Sequence, residues 1–236
     1  MDQSEEQIVA ALAQTRVVRP PRQRLATFGT SKLHYYLVTR PVYEEISGEK
    51  SEAVIREGRV IAKRPDVVTP SYMLRVFGFG DEARTSLEML ANTLGPNAPG
   101  LMYSYTNEAD GLDIVSGEPD SVADRIKSDL DGKGEDLAVV LRGDDVLWDV
   151  SLMKFIYEYT ASSLAGNVND LMGRGLLDPD PSAGVPRAAI EGIEELFRSV
   201  ERGQADPSVV KQELDRWDLF DRYQDRFLAL FRRRLY

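Results

Sequence analysis

The spacing of apolar residues changes once along this chain of 236 residues. Up to about residue 143 short alternating or continuous runs broken by Gly, Pro, Asn and Asp are interleaved with a few helical stretches, and after Asp145 the intervals are three and four throughout. Alternation suits half-buried strands, and the three-four interval suits helices with one apolar stripe. The order of these two patterns predicts an α+β protein: a mixed or antiparallel sheet with packed helices, followed by a helical C-terminal part. The expected division is an N-terminal helix with a basic, proline-containing arm over 1–24, an α+β domain over 25–143, and a helical part over 144–236 packed on it.

Within the first part, residues 6–12 read as a short helix. Residues 16–24 must leave the helix, because Pro20-Pro21 lacks amide donors and holds its predecessor extended. Residues 33–39, rich in aromatic and β-branched side chains, predict a strand with Leu33, Tyr35 and Leu37 on one face. Residues 53–56 and 59–62 flank Glu57-Gly58, which predicts a hairpin if the glycine takes a positive φ. Thr69-Pro70 is a helix start, so a helix is expected over 70–94, broken at Gly78-Phe79-Gly80, with Ala83, Leu87, Leu90, Ala91 and Leu94 facing inward. Were 71–77 a strand, residues 71–141 would spell β-α-β-β-α-β, and that alternative stays open. Two strands, 101–106 and 112–115, are expected around a turn at 107–111, then a helix over 119–130 and a buried strand over 137–141. In the second part, 148–172 predicts one long helix passing Gly166, a weak point for helix. A wide turn with three prolines follows over 178–186. Two more helices are then expected, the first striped by Ile190, Ile193, Phe197 and Val200. The second opens at Asp206-Pro207 and is striped by Val210, Leu214, Trp217, Tyr223, Phe227, Leu230 and Phe231.

Composition narrows the chemistry. There is no cysteine, so a disulfide, a thiolate metal site and a cysteine nucleophile are all excluded. The one histidine, His34, is the only possible base for a Ser-His-Asp triad, and a two-histidine metal site cannot form within one chain. The acidic start and the lack of any long apolar run predict a cytoplasmic protein without a membrane span. Gly78-Phe79-Gly80-Asp81-Glu82-Ala83 matches G-x-G-x-x-A, but Asp81 and Glu82 would face the pyrophosphate such a loop cradles, so no cofactor is expected.

Charge is sorted along the chain. From Gln7 to Tyr43 no acidic side chain occurs, and Arg16, Arg19, Arg22, Arg24, Lys32 and Arg40 stand in a chain whose net charge is −10. Such a strap either binds an outside polyanion, which makes these six residues candidates for nucleic-acid binding, or lies across its own acidic body. Arg232-Arg233-Arg234 would add to the same basic surface or neutralise the end of a helix. Carboxylates cluster at Glu108, Asp110 and Asp113 and at Asp144, Asp145 and Asp149, and the second group is the candidate Mg²⁺ site. The resulting expectation is a protein that works by binding or regulation without chemistry of its own, with nucleic-acid or ribosome association through the arm and a protein partner or self-association. The alternative is a carboxylate-based, Mg-dependent enzyme such as a phosphoester hydrolase.

Overall fold

The alternation at 33–39 becomes the central strand of a five-stranded mixed sheet. The computed structural model describes residues 3–43, 51–76 and 80–232. In chain order its elements are α1 (Gln3–Gln14), β1 (Arg16–Arg19), β2 (Ser31–Thr39), β3 (Glu52–Ala62), β4 (Asp66–Val68), α2 (Pro70–Leu74), α3 (Asp81–Leu94), β5 (Gly100–Met102) and β6 (Tyr105–Ser116). There follow α4 (Pro119–Lys133), β7 (Ala138–Arg142), α5 (Trp148–Gly173), α6 (Arg187–Glu201), α7 (Pro207–Trp217) and α8 (Phe220–Arg232). The fold is α+β with a helical C-terminal part, as the change of pattern predicts.

The chain divides into two units, Met1–Arg64 with Tyr103–Val168 and Pro65–Met102 with Asn169–Tyr236. These boundaries differ from the expected 24/25 and 143/144. Periodicity marks where a helix lies but not which surface its stripe will cover. The stripe Leu152, Phe155 and Tyr159 of α5 covers the sheet, whereas residues 65–102 belong with the last helices.

In the first unit the strand order is β1-β7-β2-β3-β6, and only β2 and β7 run parallel. Leu33, Tyr35 and Leu37 join Val139 and Leu141 against α5, while Val38, Ala138 and Val140 lie against Val122, Ala123 and Leu130 of α4. Because a helix covers each face, β7 carries a continuous apolar run, Ala138 to Leu141, every residue of it buried.

Two predicted turns are absent. Residues 52–62 form one continuous strand paired on both sides, so Glu57-Gly58 is its middle and no hairpin tip. Gly58 lies directly across from Tyr35, and a Cβ there would sit 2.5 Å from the Glu108 carbonyl oxygen and 2.6 Å from the Tyr35 hydroxyl. The glycine is there for space, and its φ is not positive. The expected turn at 107–111 is likewise extended within β6, whose register skips Asp110 between Ala109 and Gly111. That extra residue is a β-bulge, which reads as a break in a pattern of period two.

In the second unit β4 pairs antiparallel with β5, and Val68, Tyr72, Ile193, Phe197, Val210, Leu214, Trp217, Phe227 and Leu230 form the core. Thr69 caps α2 by accepting from the Tyr72 amide, with Pro70 at its first position, as the sequence predicts. Helix at 70–74 removes the β-α-β-β-α-β alternative. Gly78 and Phe79 lie outside the described residues, as do the Arg232 side chain and Arg233 and Arg234. The stripe expected to face inward on α3 does not: none of its residues is buried, and Leu90 and Leu94 are exposed. The single last helix is two. Asp218 takes φ 60, and the Leu219 amide donates back to the Leu214 carbonyl at 2.8 Å, a helix end that the apolar spacing runs straight through. Among the described residues no helix is long and apolar enough to cross a membrane.

Candidate functional site

The basic arm lies across its own unit. β1 pairs antiparallel with β7, which sets Arg16 opposite Arg142 and Arg19 opposite Val140. Arg16 reaches Asp120 at 2.5 Å, and Asp120 also accepts from Arg142 at 2.7 Å. Arg19 is buried. It donates to Asp131 at 2.9 Å and to the carbonyls of Ala138 and Glu135, both at 2.6 Å. Arg22 donates to the same Asp131 at 2.8 Å. Arg24 donates to the buried Asn167 at 2.5 Å, and its guanidinium lies where a Cβ on Gly166 would be, 2.8 Å away. The supposed weak point of the long helix is thus the opening that admits an arginine. Arg40 pairs with Glu118 at 2.8 Å, and Lys32 is exposed on β2. Of the two arrangements open to a basic strap, this is the self-docked one.

The carboxylates register these bonds. The hydrogen bond from Arg19 holds Asp131 below the usual carboxylate range, and the one from Arg142 does the same for Asp120. Arg19→Ala is expected to cost about 2–3 kcal/mol in urea unfolding at pH 7, since it strips charge-assisted bonds from a buried site. Arg16→Ala, at an exposed pair, should cost less than about 1 kcal/mol. A carboxylate whose folded pKa is depressed contributes stability above its unfolded value, about 3.9 for Asp. That contribution fades as pH falls through the lowered folded value. The Arg19→Ala penalty should therefore shrink in acid. An equal penalty at pH 7 and pH 2.5 would assign the whole effect to the two carbonyl bonds.

The candidate metal carboxylates are engaged one by one. Asp144 accepts from the Leu147 amide at 2.7 Å, in the turn that starts α5. Asp145 accepts from Arg56 and from the Thr39 hydroxyl, both at 2.6 Å, with both ion-pair partners 16% exposed and the Arg56 guanidinium 5.9 Å from the Trp148 ring centre. Asp149 accepts from the Val150 amide at 2.9 Å. Among the described residues no three His, Asp or Glu side chains are grouped to hold a metal ion. His34 sits on β2 with Nδ1 3.2 Å from the Tyr36 hydroxyl and Nε2 4.0 Å from Glu57.

Arg16 and Asp145 stand at the same end of the sheet but on opposite faces, Arg16 with Asp120 of α4 and Asp145 with Arg56 beside Trp148 of α5. Both lie at the carboxyl ends of the parallel pair β2 and β7, the end of a parallel sheet where ligand crevices tend to form. Arg22 is at the other end, its amide donating to the Asp136 carbonyl just before β7. Along the arm a cleft of about 410 Å³ opens between Pro20, Pro21 and Arg22 and the α5 side chains Phe155, Glu158 and Tyr159. Tyr159 closes one side by donating to the Gln23 carbonyl at 2.6 Å, and burial pushes its hydroxyl up to about 12.

The surface that sequence reasoning missed is β6. It has 12 residues, stands at the end of the sheet and pairs, among the described residues, only with β3. All but Tyr105 and Val115 are exposed, including Leu112 and Ile114, each more than half. Reading 107–111 as a turn hid it, because two short strands around a polar turn do not suggest one long edge. No protein family, no curated protein and no solved structure matches this chain.

Proposed function

We propose that this protein works by binding an extended segment of another protein, added as a further strand along the open edge of β6. The observation that carries the reading is the edge itself. At about 3.3 Å per residue, β6 offers a long row of backbone donors and acceptors on the side away from β3. Sheet edges are normally blunted by short strands, prolines or lysines. The opposite edge is blunted in this way: β1 has four residues and runs into Pro20-Pro21. β6 is three times as long and contains neither proline nor lysine, its protections being the bulge at Asp110 and the acids of one face. Such an edge is what strand addition uses, with backbone bonds giving affinity and alternate side chains giving selectivity.

The same geometry weighs against the other readings. A polyanion that used Arg19 would have to displace Asp131, and a metal at Asp145 would have to displace Arg56. The first would set Asp131 against the like charge of the polyanion, and the second would leave Arg56 with little exposure and no counter-charge.

Hydrogen exchange tests the reading with a panel of ten-residue peptides N-methylated at alternate positions, which leaves each peptide one bonding edge. Slowed exchange of β6 amides with β1 unchanged is expected for at least one peptide. β6 amides that point away from β3 already protected in the protein alone, or unaffected by every peptide at millimolar concentration, would overturn it.

A further inference from the structure

The two faces of β6 differ in chemistry. Opposite Val54, Arg56 and Gly58 of β3, on the side of the sheet that α5 covers, stand Ile114, Leu112 and Ala109. Asp113 and Glu108 stand on the other side, opposite Ile55 and Arg59, and the bulged Asp110 joins them, 3.3 Å from Arg59. All are exposed. A strand laid beside β6 therefore meets acid on one face and apolar side chains on the other. Cross-strand pairs of opposite charge favour pairing and like pairs oppose it.

Resting on the strand-addition reading, we infer that the partner segment alternates basic and apolar residues, with its basic side chains beside Asp113 and Glu108 and its apolar ones beside Leu112 and Ile114. A second copy of this chain does not fit. Antiparallel pairing of two β6 strands about their middle would set Asp113 of one against Glu108 of the other, twice over. The acidic face thus does two things: it selects a basic segment and it keeps identical edges apart, the device by which natural sheets avoid association through their edges.

Three members of the N-methylated panel decide this: alternating Lys/Val, Gln/Val and Glu/Val. The Lys/Val peptide is expected to bind about tenfold more tightly than Gln/Val at low salt, the sum of two or three cross-strand charge pairs. The Glu/Val peptide should be weakest, and the gap should narrow in high salt as the charges are screened. The double variant Asp113→Lys, Glu108→Lys, at exposed positions and checked for an unchanged melt, should reverse the order of Lys/Val and Glu/Val. Equal binding of all three peptides with protection of β6 would overturn the charge selection and leave the edge as binding site. Binding by none would overturn the strand-addition reading itself. A dimer in sedimentation with β6 protected would overturn the exclusion of a second copy.

Discussion

Removing residues 206–236 is expected to leave a chain that aggregates, or whose second unit no longer melts cooperatively. α7, α8 and the link between them supply Val210, Leu214, Trp217, Leu219, Phe227 and Leu230, all buried in one core with Ile193 and Phe197 of α6. Trp217 is held twice, its ring 4.6 Å from that of Tyr72 and its Nε1 donating to Glu213 at 2.8 Å. Truncating a single buried side chain of this size costs roughly 2–5 kcal/mol. Losing six at once exceeds the roughly 5–15 kcal/mol by which whole domains are stable. The deletion also uncovers Ile193 and Phe197, which are completely buried in the intact chain, so a dye that binds exposed apolar surface should report it. Trp148 becomes the only tryptophan and, lying against the core of the sheet, reads the first unit separately by fluorescence. A truncated chain that stays soluble and melts cooperatively at an unchanged temperature would mean that these helices are a detachable binding segment.

Much of this fold is legible wherever one local signal is enough. The alternation of 33–39, the apolar run of 138–141, the stripe of 148–172 and the Thr69-Pro70 start each state an element and its inward face without help from distant residues. The failures share a cause. Gly58 and Gly111 read as turn glycines because glycine serves turns, yet neither needs a positive φ. Gly58 answers to Tyr35, 23 positions away, and no window around it contains that ring. Leu90 and Leu94 of α3 have helical spacing that states a stripe but not whether anything covers it.

The candidate site was legible in identity and opaque in use. The six cations of the arm are plain in the sequence, and so is the choice between an outside polyanion and the body. The partners that decide it, Asp120, Asp131 and Asn167, lie 104, 112 and 143 positions away from the residues they bind. The carboxylates at 144, 145 and 149 are adjacent in sequence, yet their hydrogen bonds diverge to a helix start, to Arg56 and to a local amide. An open edge cannot be read from a sequence at all, since it is defined by the strand that is not beside it.

Gly58→Val is expected to destabilise the first unit by about 4 kcal/mol, at the severe end for added volume in a packed core. Strand propensity alone says the opposite, because valine is a good strand residue and glycine a poor one. Packing decides. The first added carbon would already lie 2.5 Å from a backbone oxygen of β6 and 2.6–2.8 Å from the end of the Tyr35 ring. Neither can yield easily: Tyr35 is almost wholly buried between the sheet and α5, and the oxygen belongs to a strand paired along its length with β3. Burial of Tyr35 raises the pKa of its hydroxyl. Gly111→Val is the matched control on the same strand pair. A Cβ there meets only the Glu57 side chain, at 3.8–3.9 Å, so the change should be neutral or slightly stabilising through propensity. Urea unfolding followed by tryptophan fluorescence, to which Trp148 of the first unit and Trp217 of the second both contribute, reads each variant against its parent. A Gly58→Val protein as stable as its parent would mean that β6 can move away from β3 at low cost, and the edge proposed here for binding would then be too pliant to template a partner strand.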